Sequence, residues 1–359
     1  MGGRNLSIYC RGVNDMGNLL AYSGLCTKIK AMSSKLLSES DFIEISSLSS
    51  VMEVVSFLKK HPAYQKEFQA ADEASLHRAE IEMRLHGSEY SDFAKIYLFA
   101  NIKQRKFMDF YFSRYEISLL KTCLRMVFDK HYIEINISEL QKFFAKHSSL
   151  DLIKLNPSTT VEEFIANLEG SVYYEILSKI GKEGKTTLFD YETALDLFYF
   201  TSFWKNLNQL YSKKQANIMC QTYGSKIDML NILWVYRSKK YYNMTSADIY
   251  ALIIPIHYKI KKETLRSMIE SETLEELSQI LKGTCYAKQF KGIHVSTMED
   301  TYHILLNKFF QDSFRQNPYS IACINTYLYE KEREIQKLTT ALEGIRYGLP
   351  SDEILSYII

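Results

Sequence analysis

The chain has 359 residues, of which 46% are hydrophobic and 24% are charged, and this length suits two or three folded domains. Its 14 glycines and 5 prolines are too few for an architecture of many strands and turns, so the composition favours helices. The formal net charge is +2, and the basic residues are spread along the chain. This argues against a nucleic-acid binder, because such proteins concentrate their basic residues in one stripe.

Motifs for metal, cofactor or catalytic chemistry are absent from the sequence. The eight histidines lack zinc-binding spacing. The stretch Gly181-Lys-Glu-Gly-Lys-Thr186 ends like a phosphate-binding loop, but Lys179 stands where that loop needs its first glycine. We therefore predict no catalytic, cofactor-binding or metal-binding residue. No stretch is long and apolar enough to cross a bilayer, and no signal peptide is predicted.

The six cysteines are scattered and form no C-x-x-C pair, which predicts reduced thiols in a cytosolic chain. They are Cys10, Cys26, Cys123, Cys220, Cys285 and Cys323.

Apolar residues spaced by three and four predict five main helices along the chain. They cover residues 22–37, 93–127, 193–210, 218–236 and 319–347. Residues 1–15 are predicted to be irregular, and His86-Gly87-Ser88 and Ser91-Asp92 to interrupt the chain before residue 93. The β-prone run 132–137 is predicted as a helix with a frayed start, with a lone strand as the alternative.

The last of these helices, 319–347, has the clearest boundaries. Pro318 precedes it, and Gly348 with Pro350 ends it. Its apolar seam is interrupted only at Lys331. A seam of this length predicts another helix packed along it.

A fourteen-residue frame occurs three times, at 51–64, 161–174 and 273–286. Each copy has a Glu at its third position, aliphatic residues at its fifth and eighth, and a Tyr at its last. The frame residues are Glu53, Tyr64, Glu163, Tyr174, Glu275 and Tyr286. Because the glutamates recur at nearly equal intervals along the chain, the frame predicts one helical module used three times, with boundaries 1–130, 131–242 and 243–359.

The frame glutamates are interpreted as helix caps. Ser50 with Glu53, and Thr160 with Glu163, have the spacing of a capping box. In the third copy Glu272 stands at the cap position, and Thr273 with Glu276 would place the box one residue later. The frame tyrosines are interpreted as packed side chains, with partner contact as the alternative.

A second frame, I-x-x-L, follows each first frame at a similar distance. Its isoleucines are Ile117, Ile227 and Ile335. Arg125, Arg237 and Arg346 lie near the ends of the helices that carry it, where contact with the helix dipole explains them. Contact with a partner protein is the alternative for these arginines.

Several motifs, in this order and spacing, resemble one family over nearly the whole chain. They are the helix from Tyr22 to Met32-Ser-Ser-Lys-Leu-Leu37, the three frames, Lys226-Ile-Asp-Met-Leu-Asn231 with Arg237, Asn317-Pro-Tyr-Ser320, Glu334-Ile-x-x-Leu338 and Gly344-Ile-Arg346. The chain resembles the d subunit of vacuolar-type rotary ATPases, whose counterpart in bacterial and archaeal complexes is called the C subunit. It departs from that family at Glu116-Ile-Ser-Leu-Leu, which replaces the Asp and Asn of the pattern.

The resemblance implies an all-α fold in which three pseudo-threefold-related modules form a funnel with a central cavity. It also implies a non-catalytic rotor subunit without a cofactor, which joins the central shaft (D/F-type subunits) to the membrane proteolipid ring. The expected subunit is a monomer when isolated and present once per complex. It has no transmembrane segment of its own, does not bind nucleic acid, and lies on the cytoplasmic side of the membrane.

Two other functions remain open from the residues alone. A generic helical-repeat scaffold would bind soluble partners as an open solenoid. An enzyme would need a deep pocket with converging polar groups.

Overall fold

The computed structural model describes residues 5–71, 76, 78–130, 137–155, 158–181, 186–211, 213–288 and 298–358, and within these ranges it is helical without strands. The predicted all-α fold class is therefore confirmed. None of the helices in these ranges is long and apolar enough to span a membrane. All but the last residue of the β-prone run 132–137, and residues 182–185 of the Gly181–Thr186 stretch, lie outside the described residues.

Seven helices of 19 to 29 residues form the framework. They are α1 (Asn5–Ser33), α5 (Arg78–Phe99), α6 (Ile102–Asp129), α11 (Leu188–Leu210), α12 (Lys213–Lys240), α16 (Met298–Gln316) and α17 (Ile321–Arg346).

Shorter helices of 4 to 10 residues connect them. They are α2 (Glu39–Ser46), α3 (Val51–Lys60), α4 (Gln65–Phe68), α7 (Ile137–Phe144), α8 (Leu152–Leu155), α9 (Val161–Ala166), α10 (Val172–Gly181), α13 (Ser246–Leu252), α14 (Lys262–Glu270), α15 (Leu274–Lys282) and α18 (Ser351–Ile358).

The chain divides into two compact units. The first unit contains both ends of the chain, Met1–Ile102 and Phe314–Ile359, and the second unit is Lys103–Ser313. The three predicted modules (1–130, 131–242 and 243–359) stay a prediction, because a division into two units does not test them.

In the first unit, α17 is the central helix and packs against α1, α2, α3, α5 and α18. Its apolar seam, including Ile335, Leu338 and Leu342, lies in one core cluster with Val54, Val55 and Leu58 of α3. The seam is therefore packed against several helices and not, as predicted, against one helix along its full length. The close contact with α18 requires Gly344, because a Cβ there would lie 2.7 Å from Cγ1 of Ile354.

The predicted boundaries of α17 are confirmed within two residues. Ser320 is the N-cap and accepts a hydrogen bond from Ala322 N at 3.1 Å. At the other end Gly348 has φ +69°, and Leu349 N donates to Gly344 O at 2.9 Å. A glycine is favoured there because a Cβ in the left-handed conformation comes too close to the adjacent backbone carbonyl.

In the second unit, α12 packs against α11, α13, α14 and α15. Met229, Ile232 and Val235 of α12 lie in one core cluster with Met268 of α14 and Leu277 of α15. The predicted helices 193–210 and 218–236 are confirmed. The first, α11, begins earlier than predicted, and the second, α12, begins earlier and ends later.

Three sequence predictions about helix continuity were wrong. The chain is already helical from Asn5, because a helix that is packed at one end extends at little cost. His86-Gly87-Ser88 and Ser91-Asp92 lie inside α5. Packing of its buried face overrides their propensity, and the Ser88 hydroxyl is satisfied within the helix by Leu85 O at 2.6 Å. The predicted helix 93–127 is divided at residues 100–101, between α5 and α6.

Candidate functional site

Three short helices begin with the same cap. Ser50, Thr160 and Thr273 are the N-caps of α3, α9 and α15, and each side chain accepts from the backbone N–H three residues later. A glutamate on that third residue reaches back to the backbone N–H of the residue before the cap. Those carboxylate bonds are Glu53 to Ser49 N at 2.7 Å, Glu163 to Thr159 N at 2.8 Å and Glu276 to Glu272 N at 2.8 Å.

The third copy of the frame is therefore displaced by one residue. Glu276 makes the cap contacts, and Glu275 is an exposed side chain in the first turn of α15. The structure thus pairs Thr273 with Glu276, but in all three copies the carboxylate reaches the N–H before the cap and not the N–H of the cap residue, as a capping box would.

Counted from the caps, two of the three buried tyrosines are in register. Tyr173, not Tyr174, stands as far along the chain from its cap Thr160 as Tyr286 stands from Thr273. Tyr64 lies one position further from its own cap, Ser50. Tyr64, Tyr173 and Tyr286 are at most 2% exposed, whereas Tyr174 is half-buried. The frame therefore names Tyr174 instead of the buried Tyr173, because the chain from cap to buried tyrosine is one residue shorter in the second copy than in the first.

Each of these tyrosines donates its hydroxyl to a carboxylate on a long helix, and we call each such bond a latch. The pairs are Tyr64 with Glu334 of α17 at 2.5 Å, Tyr173 with Glu116 of α6 at 2.6 Å, and Tyr286 with Asp228 of α12 at 2.9 Å. Each carboxylate also accepts a bond from the segment that precedes the short helices. We call these groups cluster 1 (Leu37, Tyr64, Lys331, Glu334), cluster 2 (Glu116, Ser148, Tyr173) and cluster 3 (Asp228, Tyr258, Lys259, Ile260, Tyr286).

Cluster 1 lies in the first unit and contains an ion pair. Lys331 Nζ lies 2.8 Å from Glu334 Oε1, with the two side chains 0% and 4% exposed. The same ammonium lies 4.0 Å from the centre of the Tyr64 ring. Glu334 Oε2 accepts from Leu37 N at 2.5 Å. The Lys331 that interrupts the apolar seam of α17 is therefore the counter-charge of a buried carboxylate.

Cluster 3 lies in the second unit and uses backbone amides instead of a cation. Asp228 accepts from the backbone N–H groups of Tyr258, Lys259 and Ile260 at 3.3, 2.8 and 3.2 Å. One turn earlier on α12, a Cβ at Gly224 would lie 2.4 Å from Cγ of Tyr258. The glycine thus lets the segment 258–260 come close enough to bond with Asp228.

Asn231, three residues after Asp228, holds the same segment further along. Its side-chain oxygen accepts from Ile254 N and its amide donates to Ile254 O, both at 3.0 Å. The Asp228-Met-Leu-Asn231 motif is therefore a clamp that fixes the chain between α13 and α14.

Cluster 2 is the simplest of the three. Glu116 accepts from the hydroxyls of Tyr173 and Ser148, and Ser148 in turn accepts from Leu150 N at 3.0 Å. Three residues after Glu116 stands Leu119, where the motif of cluster 3 has an Asn. The leucine has no side-chain amide with which to hold a second point of the neighbouring segment.

Burial sets the protonation of these groups. It raises the pKa of Tyr64 and of Tyr286, and the neighbouring carboxylates of Glu334 and Asp228 raise both further. The tyrosines are therefore neutral hydrogen-bond donors at physiological pH. Burial also raises the pKa of Asp228 and of Glu116, against the hydrogen bonds that each accepts.

The clusters suit holding helices together better than chemistry on a solute. Their tyrosines Tyr64, Tyr173 and Tyr286, with Lys331, Glu334 and Asp228, are 0% to 5% exposed. Each latch joins segments that are 57, 58 or 270 residues apart in the chain. Among the described residues, no group of three or more His, Cys, Asp or Glu side chains could hold a metal ion.

The three arginines singled out in the sequence are half-exposed and ion-paired. Arg125 pairs with Glu192 at 2.6 Å and Arg237 with Glu299 at 3.1 Å. These two glutamates lie in the early turns of α11 and α16. Arg346 lies 4.0 Å from Glu343 of its own helix. Contact with the helix dipole is therefore an incomplete explanation, because Arg125 and Arg237 also form ion pairs that join two helices.

Sequence reasoning missed the role of the carboxylates in the clusters, Glu116, Asp228 and Glu334. The signal that could have found one of them is Lys331 on an apolar seam. A buried lysine needs a paired carboxylate, and Glu334 lies three residues later on the same helix face.

Comparisons with known proteins agree with the resemblance. The family model described as ATP synthase (C/AC39) subunit matches residues 25–357. The C subunit of the A-type ATP synthase of Methanosphaera stadtmanae is 25% identical, over 92% of this chain and 86% of that protein. The subunits of the same name from Archaeoglobus fulgidus and Methanocaldococcus jannaschii are 24% and 21% identical, over 94% and 95% of this chain and 96% and 87% of theirs. Because the family model covers nearly the whole chain, the chain belongs to the ATP synthase (C/AC39) subunit family and is a subunit of a rotary ATPase.

Proposed function

We propose that this chain is a non-catalytic central-stalk subunit of a V/A-type ATPase. It is a socket that joins the central shaft to the membrane proteolipid ring, so that torque couples ATP hydrolysis or synthesis to ion transport. The observation that carries the proposal is the recurrence of one buried tyrosine–carboxylate latch at three places in a chain of this family.

The physical argument is that a coupling part must resist shear between its helices. Each latch joins a long helix to a segment that is distant in the chain, through a bond to a carboxylate that is buried in clusters 1 and 3 and partly buried in cluster 2. Such bonds contribute more than neutral ones, about 1.5 to 3 kcal/mol each. A part that transmits load needs stiff helices and no reactive group.

The proposed architecture has three helical modules around a central cavity that receives the shaft. The chain is then present once per complex and held at the cytoplasmic side of the membrane by the complex. Images of single particles of the purified chain test this arrangement. A closed form with three lobes supports the socket, whereas an elongated arc supports a general helical-repeat scaffold.

Affinity purification of the tagged full-length chain from detergent-solubilised membranes tests the function. We expect shaft subunits and the proteolipid to be recovered together with one copy of the chain. We also expect the isolated chain to hydrolyse no ATP. Robust hydrolysis by the isolated chain, or recovery of peripheral-stalk subunits without shaft and ring, would contradict the proposal.

The half-exposed arginines Arg125, Arg237 and Arg346 are candidates for contact with the shaft or the ring. In the same purification, Arg346→Ala is compared with Arg266→Ala. Arg266 is more exposed and, like Arg346, pairs with a glutamate of its own helix, Glu270 at 2.9 Å. Loss of ring subunits with the first variant alone supports a contact at Arg346, and equal recovery with both removes that residue from the interface.

A further inference from the structure

Two cysteines from opposite ends of the chain lie against each other in the first unit. Cys26 is on α1 and Cys323 is in the first turn of α17. Their sulfur atoms are 2.9 Å apart, and the Cys26 thiol also lies 3.1 Å from Pro318 O. The residues are 3% and 1% exposed.

We propose that Cys26 and Cys323 are a redox-sensitive pair, which a low-molecular-weight disulfide converts to a disulfide bond that fixes α1 to the start of α17. Two sulfurs at 2.9 Å need to approach by only about 0.9 Å to reach bonding distance. The pair could not be predicted from the spacing of the cysteines, because the two residues are 297 positions apart in the chain.

Cys26 is the attacking sulfur. Hydrogen bonding with Cys323 lowers the pKa of the Cys26 thiol, burial opposes this, and the Lys30 ammonium one turn later lowers it further. Hydrogen bonding to Cys26 and burial raise the pKa of Cys323. The thiolate is the nucleophile in thiol–disulfide exchange, so the first step belongs to Cys26.

The exchange is balanced without a metal or cofactor. The Cys26 thiolate attacks one sulfur of the small disulfide, whose S–S bond breaks and releases one thiolate. Cys323 then loses its proton and attacks the Cys26 sulfur, and the second small thiolate leaves. The two cysteines lose two electrons in total, the small disulfide gains them, and the two protons end on the released thiols. Because both sulfurs are buried, the reagent gains access when α1 opens transiently from α17.

The bond would constrain the unfolded chain across most of its length. Closing a loop of this size favours the folded state, so oxidation is expected to raise the Tm of the first unit by roughly 5 to 10 °C. Dithiothreitol should reverse the change.

Treatment of the reduced, full-length chain with glutathione disulfide under native conditions tests the proposal. After alkylation and non-reducing digestion, mass spectrometry should find a Cys26–Cys323 linked peptide. The exposed Cys285 serves as the control, since it should take up glutathione. Modification of Cys285 without the linked peptide, or linkage of Cys26 to a different cysteine, would overturn the pair.

A variant separates the two steps. In Cys323→Ser, Cys26 should stop at a glutathione adduct, and oxidation should no longer raise Tm. Cys123→Ser, which removes a buried thiol from the second unit, should leave both the linked peptide and the Tm rise intact. Absence of the glutathione adduct on Cys26 in a folded Cys323→Ser chain, judged by its helical circular dichroism, would also overturn the proposed order.

Discussion

Clusters 1 and 3 solve the same physical problem in two ways. Each buries a carboxylate against a tyrosine hydroxyl, and a buried charge is costly unless it is paired and hydrogen-bonded. Cluster 1 compensates Glu334 with the ammonium of Lys331. Cluster 3 compensates Asp228 with three backbone N–H groups. The position of the latch thus recurs while its chemistry differs between the two units.

The largest effect is expected where compensation depends on one residue. Lys331→Met removes the cation and leaves Glu334 buried and unpaired, which should lower the free energy of unfolding by about 3 to 5 kcal/mol. Denaturant titration followed by circular dichroism measures this. The double variant Lys331→Met with Glu334→Leu should recover part of the loss, because no uncompensated charge remains.

Lys95→Met is the matched control for that substitution. Lys95 pairs with Asp92 at 2.9 Å, but its side chain is 45% exposed, so the cost should stay below about 1 kcal/mol. Equal losses in the two single variants would mean that the ion pair of cluster 1 is not what compensates Glu334.

The next effect concerns the hydroxyls that the two clusters share. Tyr64→Phe and Tyr286→Phe keep the ring and remove the donor, which should cost about 1.5 to 3 kcal/mol each. Tyr173→Phe should lower the stability by a similar amount in cluster 2. Thermal and denaturant unfolding measure these losses.

Tyr174→Phe tests which tyrosine belongs to the repeat. Tyr174 is half-buried beside the fully buried Tyr173, so its substitution should change the stability by less than about 0.5 kcal/mol. If Tyr174→Phe lowers the stability more than Tyr173→Phe does, then Tyr174 is the tyrosine of the repeat, as the sequence frame predicted.

A pH titration sharpens the comparison for cluster 3. The folded chain holds the proton of Asp228 more tightly than the unfolded chain, because burial raises its pKa. The stability that follows from this shift is present below the unfolded pKa and is lost as pH rises through the folded pKa. In Asp228→Asn this loss should be absent, so the stability difference between wild type and variant should depend on pH in the acidic range. Unfolding curves collected from about pH 3.5 to 7 measure it, and parallel pH profiles would contradict the shift.

Local chemistry made much of the fold predictable from the sequence. The boundaries of α17 followed from Pro318, Gly348 and Pro350, and the starts of the short helices from their caps. The clusters were not predictable in the same way, because each joins residues far apart in the chain that no local pattern relates. A spacing counted in residues also pointed to Tyr174 and Glu275, because the chain from cap to buried tyrosine is one residue shorter in the second copy than in the first, and the third cap lies one residue later.

An effect smaller than the loss of a latch hydroxyl tests whether the caps set the register of the latches. Thr273→Ala removes the side-chain acceptor of Glu276 N, which lies 3.2 Å away, and should cost about 0.5 to 2 kcal/mol. Glu276→Ala should destabilise the chain more than Glu275→Ala does, because only Glu276 reaches back to Glu272 N. If the caps set the register, losing the third cap should also loosen Tyr286, the donor of cluster 3, and hydrogen exchange at the Lys259 and Ile260 amides should become faster. Unchanged exchange there, together with a measurable loss of stability, would separate the cap from the latch. In that case Gly224 and Asp228 of α12, and not the cap, position the segment 258–260.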